Sequence, residues 1–464
     1  MSFFEVLQSL GGNIWIYGGV FILILGILVF VHEWGHYIVA RWCGVKVEVF
    51  SIGFGKEIAG FNDKKGTRWK IAMIPLGGYV KLFGDVDPAS AGNVENAQGS
   101  TQRVLTSAER KVAFFSQPVA KRAAVVIAGP AINYLFAIVV LTALFVFNGQ
   151  PVTPPSAAAV IGGSSAEKHG FLPHDKVLSI DGTPIVNFED IRREMMISLD
   201  AERHFTVERD GKIVDIYARP EKVEQEDRFG FKHSRGLLGL ISPRHAIDIK
   251  TIRNIDGKSY EEGDIEAVRR DLLRRLDTTF QIIIANGPEP DTLIINPVSA
   301  FNEALGAAKG ETENPESGLL FLADQAGNSF VKYAPHIAFI KALEQTWVVT
   351  RGTVEALGQI VMGTRSATEL GGVIRIGALA GDMAKQGIIA LILFMALLSI
   401  NLGLINMFPI PMLDGGHLLF YAFEAALGRP IPERIQEYAF RAGLVFLVGI
   451  MVFANLNDLI QLLL

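Results

Sequence analysis

The feature that most constrains this chain is an uninterrupted apolar run over residues 14–31, which leads directly into the sequence His-Glu-Trp-Gly-His at 32–36. An apolar run of this length is typical of a helix that lies in a bilayer. Residues four apart share one face of a helix, so His32 and His36 can bind one metal ion while Glu33 faces a metal-bound water. The pattern therefore predicts the centre of a metalloprotease at the end of a membrane helix.

Composition agrees with a membrane protein that carries soluble parts. Half of the 464 residues are hydrophobic, and the mean hydropathy is +0.32. The net charge is −5 and no long basic run is present, which argues against nucleic acid as a partner. Cys43 is the single cysteine, so it can form neither an internal disulfide nor a zinc site with a second thiolate. We expect it to serve packing.

Four stretches are long and apolar enough to cross a bilayer, which takes about 20 residues. They are residues 14–39, 123–147, 387–408 and 442–464, of which the last is interrupted by Asn455, Asn457 and Asp458. The first has no basic segment before it and no cleavage site after it, so we expect a retained span rather than a signal peptide. Residues 337–362 carry spaced charges and predict an amphipathic helix.

Basic residues predict the orientation, because they are enriched on the cytoplasmic side of membrane spans. Lys and Arg are frequent between the first two spans and absent before residue 14. We therefore expect this loop to be cytoplasmic, with both termini and the 148–386 region on the periplasmic side of a bacterial inner membrane. Arg429, Arg434 and Arg441, between the last two spans, agree with this orientation.

The 148–386 region begins with a pattern of turns and short strands that resembles a PDZ domain, which we place at 151–222. Such modules bind extended chain ends by adding them to a sheet edge. His174 stands where that family usually has Gly. The same order of elements recurs at an offset of about 75 residues, so 236–300 is expected to be either a second, degenerate PDZ-like domain or an unrelated insertion. Residues 301–330 are expected to be a linker, and 331–386 amphipathic helices.

A catalytic zinc needs three protein ligands and an open position for water. The near-neighbour third ligand of secreted metalloproteases is absent, because Val39 stands at the Gly position of that longer motif. Asp414 is the candidate, since an unpaired carboxylate at the end of an apolar span would cost several kcal/mol. Pro409 and Pro411 cannot continue a helix, so we expect the third span to unwind just before Asp414.

The motifs together resemble the site-2 protease family of intramembrane zinc metalloproteases, and within it the bacterial regulator-of-sigma-E protease group. The resemblance rests on 32–36, on Pro-Leu-Gly-Gly-Tyr-Val at 75–80, on Gly-Pro-x-x-Asn at 129–133, on the PDZ-like insert, and on Asn-x-x-Pro-x-Pro-x-x-Asp-Gly-Gly at 406–416. It implies one Zn²⁺ per chain, bound by His32, His36 and Asp414, with Glu33 as the general base. Val373 departs from the family, which usually has Pro there.

The resemblance also implies the surroundings of the site. Residues 68–84 would form a β-hairpin that dips toward the metal and accepts an extended substrate. The residues implied in binding substrate or the oxyanion are Gly77, Gly78, Tyr79, Asn401 and Asn406. Those given a structural role at the site are Asn133, Pro409, Pro411, Gly415 and Gly416. For Asn133 a direct catalytic role and a helix-packing role both stay open, and we expect His417 to be structural or to support the ligands.

The expected fold is a multi-pass α-helical membrane protein with four transmembrane helices, a membrane-associated β-hairpin and an extracytoplasmic α+β PDZ-like insert. Residues 1–147 form its first membrane half and 387–464 its second. The resemblance implies cleavage of single-span membrane proteins, such as an anti-sigma factor, after another protease has trimmed them, in envelope-stress signalling. Clearance of remnant signal peptides, a non-catalytic scaffold and a metal transporter are the alternatives. The PDZ-like part would either bind peptide or exclude bulky substrates.

Overall fold

The computed structural model describes residues 14–84, 106–227, 229–285, 291–306, 318–323 and 329–463. Its helices are α1 (Ile14–Trp42), α2 (Ser107–Val112), α3 (Val119–Phe147), α4 (Ser165–Lys168), α5 (Phe188–Ile197), α6 (Ile265–Arg275), α7 (Pro335–Val361), α8 (Val373–Gln386), α9 (Ile388–Asn406), α10 (Asp414–Leu427) and α11 (Glu433–Leu463). Among these described helices, α1, α3, α9 and α11 are long and apolar enough to cross a membrane. These four spans fit a membrane protein.

The strands are mostly short and lie between these helices. They are β1 (Val47–Asn62), β2 (Arg68–Leu82), β3 (Gln150–Val152), β4 (Ala159–Ile161), β5 (Lys176–Ile180), β6 (Thr183–Pro184), β7 (Arg203–Arg209), β8 (Lys212–Ala218), β9 (Glu221–Glu226), β10 (Lys232–Leu237), β11 (Leu240–Ile241), β12 (Ala246–Asp248), β13 (Ile252–Ile255), β14 (Lys258–Ser259), β15 (Phe280–Ile284), β16 (Asp291–Ile295), β17 (Leu319–Phe321) and β18 (Ser329–Val331).

Helix α3 is the centre of the membrane part, because it packs against α1, α7, α9 and α10. Small residues permit this close packing. A Cβ added at Gly35 on α1 would lie 2.3 Å from the carbonyl oxygen of Ala128 on α3, and one added at Gly403 on α9 would lie 2.9 Å from the ring of Tyr134. Close approach of backbones at small residues is the usual way in which membrane helices associate.

The polar residues that interrupt the fourth span hold it to α8. Asp458 is fully buried, and its carboxylate accepts hydrogen bonds from the backbone N–H groups of Gly372 at 2.8 Å and Arg375 at 3.0 Å. Asn455 accepts one from Val373 at 3.1 Å. A helix begins with N–H groups that lack an intrahelical partner, so α11 caps the start of α8. The interruption in the apolar pattern is therefore a docking site between two helices.

The first loop forms an antiparallel hairpin of β1 and β2 that folds back on itself. Residues 68–71 pair with 59–62 across the turn and with 49–52 on their other side, and residues 78–82 pair with 47–52. This differs from the expectation that 68–84 forms a hairpin by itself, since nearly all of that segment is one strand and its partner is residues 47–62. The sequence of β1 alternates poorly and contains three Gly, which concealed its strand character. Ile58 and Met73 are more than 60% exposed on the hairpin, so its surface is strongly apolar.

Two α+β units with the same topology follow α3. In the first, β5 pairs with β6 and β7, β7 pairs with β8, and α5 lies between β6 and β7 in the chain; β13 to β16 and α6 repeat this order. Each unit has its own apolar core, centred on residues such as Phe205 and Ile282. The two units are joined through β4, which precedes the strands of the first unit in the chain and pairs with β16 of the second unit. The expected unit at 151–222 is therefore not self-contained.

Residues 301–306 and 318–323 belong to the second unit, so the expected linker is corrected for these residues. Strand β17 pairs with β12, and Leu305, Leu320 and Leu322 are fully buried in the second core. Strand β18 pairs with β3, next to the end of α3. The Glu and Asn residues on which the linker expectation partly depended lie in 307–317, which is outside the described residues, as are residues 1–13.

Helix α7 is amphipathic in an unusual sense, because its buried face consists of small residues rather than large apolar ones. Ala338, Ala342 and Thr346 are buried and face α3, whereas Phe339 and Trp347 are exposed on the outside. The hydroxyl groups of Thr350 and Tyr134 lie 3.3 Å apart and add a polar contact between α7 and α3. An apolar outer face on a helix packed along a membrane span fits a lipid environment.

Candidate metal centre

The two histidines of the first motif lie side by side on the face of α1 that meets α3. Their ring centroids are 4.9 Å apart, and His32 is buried. The spacing of four residues creates this arrangement, as the helix period predicts. Gly35, between them in sequence, keeps α1 close to α3, so both rings point into the protein rather than toward lipid.

The third candidate ligand, Asp414, lies directly after a break between two helices. Helix α9 ends at Asn406, the chain turns through Pro409 and Pro411, and α10 begins at Asp414. The glycines after Asp414 are required by close contacts: a Cβ at Gly415 would lie 2.3 Å from two backbone oxygens, and one at Gly416 would lie 2.4 Å from the oxygen of Ile410. The turn thus folds back onto the first turn of α10 and aims Asp414 at α1.

Three donor atoms converge at this point. Nε2 of His32 lies 3.2 Å from Nε2 of His36 and 3.2 Å from Oδ2 of Asp414, and Nε2 of His36 lies 3.6 Å from Oδ1 of Asp414. Two ligands of a tetrahedral zinc ion are about 3.3 Å apart when each bond is about 2.0–2.1 Å. Oδ2 of Asp414 is buried and accepts no hydrogen bond from any described residue, despite its nearness to His32. The donor set fits a divalent metal ion.

The outer ring nitrogens of both histidines are held by α3. Nδ1 of His36 lies 2.9 Å from the carbonyl oxygen of Val125, and Nδ1 of His32 lies 3.0 Å from the amide of Asn133. Histidines that bind metals usually use their second nitrogen in this way. Among the described residues, His32, His36 and Asp414 are the one group of His, Cys, Asp or Glu placed to share an ion.

A cavity opens at the three donors and is lined by half of the site residues that the sequence nominated, together with His417. Glu33, Gly78, Tyr79, Asn406 and His417 all line it. Val80, on β2, lines the cavity as well. A Cβ at Gly78 would lie 3.1 Å from Cγ of Glu33, so glycine lets β2 approach this carboxylate closely. The arrangement places a carboxylate beside a metal site and an extended strand beside both.

Other nominated residues lie away from the cavity. Asn401 accepts a hydrogen bond at 2.9 Å from the hydroxyl of Thr353 on α7, whereas the cavity lining includes Asn406 and not Asn401. Gly77 lies beside Phe54, whose ring would be 2.4 Å from an added Cβ. Pro409 and Pro411 belong to the turn before Asp414. The structure therefore separates two asparagines to which the family resemblance gave the same role, because their offset of five residues turns their side chains to different sides of α9.

Sequence reasoning missed several residues of the cavity. Phe54, Phe114 and Tyr421 also line it, and Val125 contributes a backbone oxygen to His36. Phe54 lies over Tyr79 with ring centroids 6.2 Å apart, which places an aromatic wall on the hairpin side. A Phe in a Gly-Phe-Gly run was a visible signal, but a backbone carbonyl carries no signal in sequence at all.

Comparison with known proteins supplies independent information about this arrangement. The family model described as Peptidase family M50 matches residues 20–450, and thus nearly the whole described chain. Among similar proteins, one of Agrobacterium fabrum named "Putative zinc metalloprotease Atu1380" is 35% identical over 95% of both chains. The Protease RseP of Yersinia pestis is 33% identical over 95% of this chain and 98% of the relative. The Regulator of sigma E protease of Haemophilus influenzae is 31% identical over 96% and 98%.

Proposed function

Because this chain belongs to peptidase family M50, the site-2 protease family, we propose that it is a zinc-dependent intramembrane endopeptidase that cleaves single-span membrane proteins within or near their membrane segment. The resemblance drawn from the motifs is thereby confirmed. The observation that carries the proposal is the convergence of His32, His36 and Asp414 beside Glu33, between two helices long enough to cross a membrane.

His32, His36 and Asp414 would hold the ion, which when bound activates water and polarises a carbonyl group. Glu33 lines the same cavity and acts as the general base, which takes a proton from water and returns it to the departing amine. Asn406 lines the cavity as well, and its amide can donate to the negative charge that develops on the substrate oxygen. These are the roles that the family resemblance implies, and we assign them to the residues of this chain that lie at the cavity.

A helical substrate must become extended before water reaches its peptide bond, and strand β2 offers a partner for it. Among the described strands, residues 78–82 of β2 pair on one side with residues 47–52 of β1, so their other edge has backbone groups without a strand partner. Gly78 and Tyr79 lie on β2 beside Glu33. Addition of the substrate to this edge would use main-chain hydrogen bonds, so cleavage would depend weakly on substrate side chains.

We propose that the two α+β units are tandem PDZ-like modules on the periplasmic side. Asp181 and Asp256 support the repeat, because they occupy the same turn 75 positions apart. Each accepts a hydrogen bond of 2.9 Å from the backbone N–H of the next long strand, His204 in one unit and Gln281 in the other. Each also has a positive φ, 48° and 45°. These modules would bind substrate or exclude bulky outer domains.

The orientation proposed from basic residues puts both termini outside, the hairpin on the cytoplasmic side and the metal centre toward that side of the inner membrane. In this setting the substrate would be a membrane protein already trimmed outside, such as an anti-sigma factor, in stress signalling. That role is supported by the Haemophilus influenzae relative named Regulator of sigma E protease, which is 31% identical over nearly the full length of both chains.

The test is cleavage of a model single-span substrate, truncated outside the membrane, by purified protein in detergent. Glu33→Gln removes the base and preserves size, and Glu437→Gln, an exposed change on α11, is the matched control. We expect wild type and Glu437→Gln to cut, and both to lose activity with a zinc chelator and regain it with added zinc. Equal cleavage by Glu33→Gln would overturn the proposal, because the base would then lie elsewhere.

A further inference from the structure

One face of α3 contacts both metal-site histidines, although none of its residues was assigned a ligand role. Val125, Gly129 and Asn133 are spaced four apart, so they form a single stripe along the helix. We call this the α3 stripe. Its outer members contact the two Nδ1 atoms, at 2.9 Å for Val125 and 3.0 Å for Asn133, and its middle member lies against both rings.

The contact at His36 defines where that ring carries its proton. The carbonyl oxygen of Val125 can only accept, so Nδ1 of His36 must donate. In the neutral ring, Nε2 then has a lone pair, and this atom faces His32 and Asp414. The backbone of α3 thus selects the tautomer of His36 that binds a metal.

The contact at His32 has two forms, because the oxygen and nitrogen of an amide are assigned from their hydrogen bonds. If the Asn133 nitrogen donates to Nδ1, the His32 proton must lie on Nε2, where it blocks metal binding. If the Asn133 oxygen accepts from Nδ1, Nε2 of His32 has a lone pair that faces the other two donors. Asn133 is fully buried, and its second amide atom has no partner among the described residues in either form. A bound cation therefore decides in favour of the second form.

Gly129 keeps the space between the rings clear. A Cβ at this position would lie 2.2 Å from Nε2 of His36 and 2.9 Å from Cε1 of His32. Both distances are far below van der Waals contact, so any larger residue would displace the metal-binding nitrogens. The size of the residue at the middle of the α3 stripe is therefore as restricted as the contacts at its two ends.

Helix geometry explains why residues eight apart on α3 serve histidines four apart on α1. Val125 and Asn133 are about 12 Å apart along the axis, whereas His32 and His36 are about 6 Å apart. Backbone carbonyls point toward the C-terminus of a helix, and side chains tilt toward the N-terminus. The oxygen of Val125 and the side chain of Asn133 therefore converge on the level of Gly129.

We propose that Asn133 is a positioning residue that accepts a hydrogen bond from Nδ1 of His32, so that the α3 stripe presets both imidazoles for metal binding. This inference rests on the metal role proposed for His32. It assigns Asn133 neither a contact with substrate nor a helix-packing role alone. Removal of such a supporting partner typically weakens metal binding by about 10–100-fold.

The test measures zinc affinity of the full chain in detergent by competition with a chromophoric chelator. Asn133→Leu keeps the volume and removes the acceptor, whereas Asn133→Asp keeps an acceptor of the same shape. Thr142→Val on α3 is the matched control, since its hydroxyl donates to the carbonyl oxygen of Ile138 in its own helix. We expect a loss of about 10–100-fold for Asn133→Leu, and affinity close to wild type for the other two variants.

Equal losses for Asn133→Leu and Asn133→Asp, or no loss for Asn133→Leu, would overturn the inference, because the acceptor would then be irrelevant. If Asn133→Leu does not fold, Asn133→Ala takes its place under the same criteria. His32→Ala is measured alongside. If it binds zinc as tightly as wild type, the proposed function fails; if it loses zinc while Asn133→Leu does not, only the role of Asn133 fails.

Discussion

Oδ2 of Asp414 lies 3.2 Å from Nε2 of His32, although one residue begins α10 and the other lies in the first membrane span. The two meet because both α1 and α10 pack on α3. A carboxylate oxygen in this position, buried and without a hydrogen-bond donor among the described residues, is stabilised by a cation and destabilised without one. We therefore expect folding of the third span around its prolines to be coupled to metal binding.

Asp414→Asn should remove one anionic ligand and leave the fold largely intact. We expect the bound zinc per chain to fall well below one, measured by elemental analysis after dialysis, and cleavage to fall with it. Asp248→Asn, an exposed change at the cap of a short helical turn, is the control and should retain zinc. Full zinc occupancy in Asp414→Asn would show that this carboxylate is not a ligand.

Gly35→Ala should disrupt the contact between α1 and α3, because the added Cβ would lie 2.3 Å from the carbonyl oxygen of Ala128. Gly26→Ala is a matched change on the same helix with nothing within 4 Å of its Cβ. We expect Gly35→Ala to lower the melting temperature and the zinc affinity together, and Gly26→Ala to change neither. If neither variant changed the melting temperature or the zinc affinity, α1 and α3 could move apart without loss of stability or of metal binding.

Asp458→Ala should weaken the docking of α11 onto α8. It leaves the backbone N–H groups of Gly372 and Arg375 without an acceptor, and each buried unsatisfied group costs about 1–3 kcal/mol. Thermal unfolding in detergent should show a clear loss of stability. Glu437→Ala breaks an exposed pair with Arg441 on the same helix, and such pairs contribute at most about 1 kcal/mol. A smaller effect for Asp458→Ala than for this control would contradict the docking.

Acid should loosen the first α+β unit through Asp181. Burial raises the pKa of this carboxyl, but hydrogen bonds from the His204 N–H and the Arg203 side chain outweigh burial and hold the pKa below its ordinary value of 3.8. A lowered folded-state pKa stabilises the unit above the ordinary value, and this stabilisation is lost as the pH falls through the folded-state pKa. We expect protection of the β7 amides in hydrogen exchange to fall in acid.

Asp181→Asn provides the control for this pH dependence, because Asn tolerates the positive φ of the turn and cannot ionise. The variant should already exchange faster at neutral pH, and it should lose less protection than wild type as the pH falls. An identical pH dependence in the two proteins would mean that another group is responsible.

The sequence identified those parts of the centre that depend on local periodicity. His32, Glu33 and His36 lie as the helix period predicts, and the prolines at 409 and 411 end α9 as expected. The first three candidate spans lie within four residues of the bounds expected from hydropathy, whereas the fourth begins at Arg434, eight residues before the expected start. Long apolar runs and helix breakers act within one or two turns of chain, so they are visible without tertiary structure.

Three other features depend on contacts that no local pattern encodes. The strand character of 47–62 comes from pairing with β2, and the place of β4 comes from pairing with the second unit rather than its own. The difference between Asn401 and Asn406 arises from which helix each side chain meets. Such contacts are decided by the free energy of packing over the whole chain. Local sequence patterns therefore could not distinguish the observed contacts from their alternatives.

The amino-acid sequence by itself determined which residues could hold a metal, because their types and helical spacing carry that chemistry. Only the tertiary structure decided how these residues are held. The contact of Val125 with His36 uses a backbone oxygen that every residue type possesses, and the space at Gly129 matters only because α1 lies against it. Ligand identity is a property of side chains, whereas ligand orientation is a property of how helices pack.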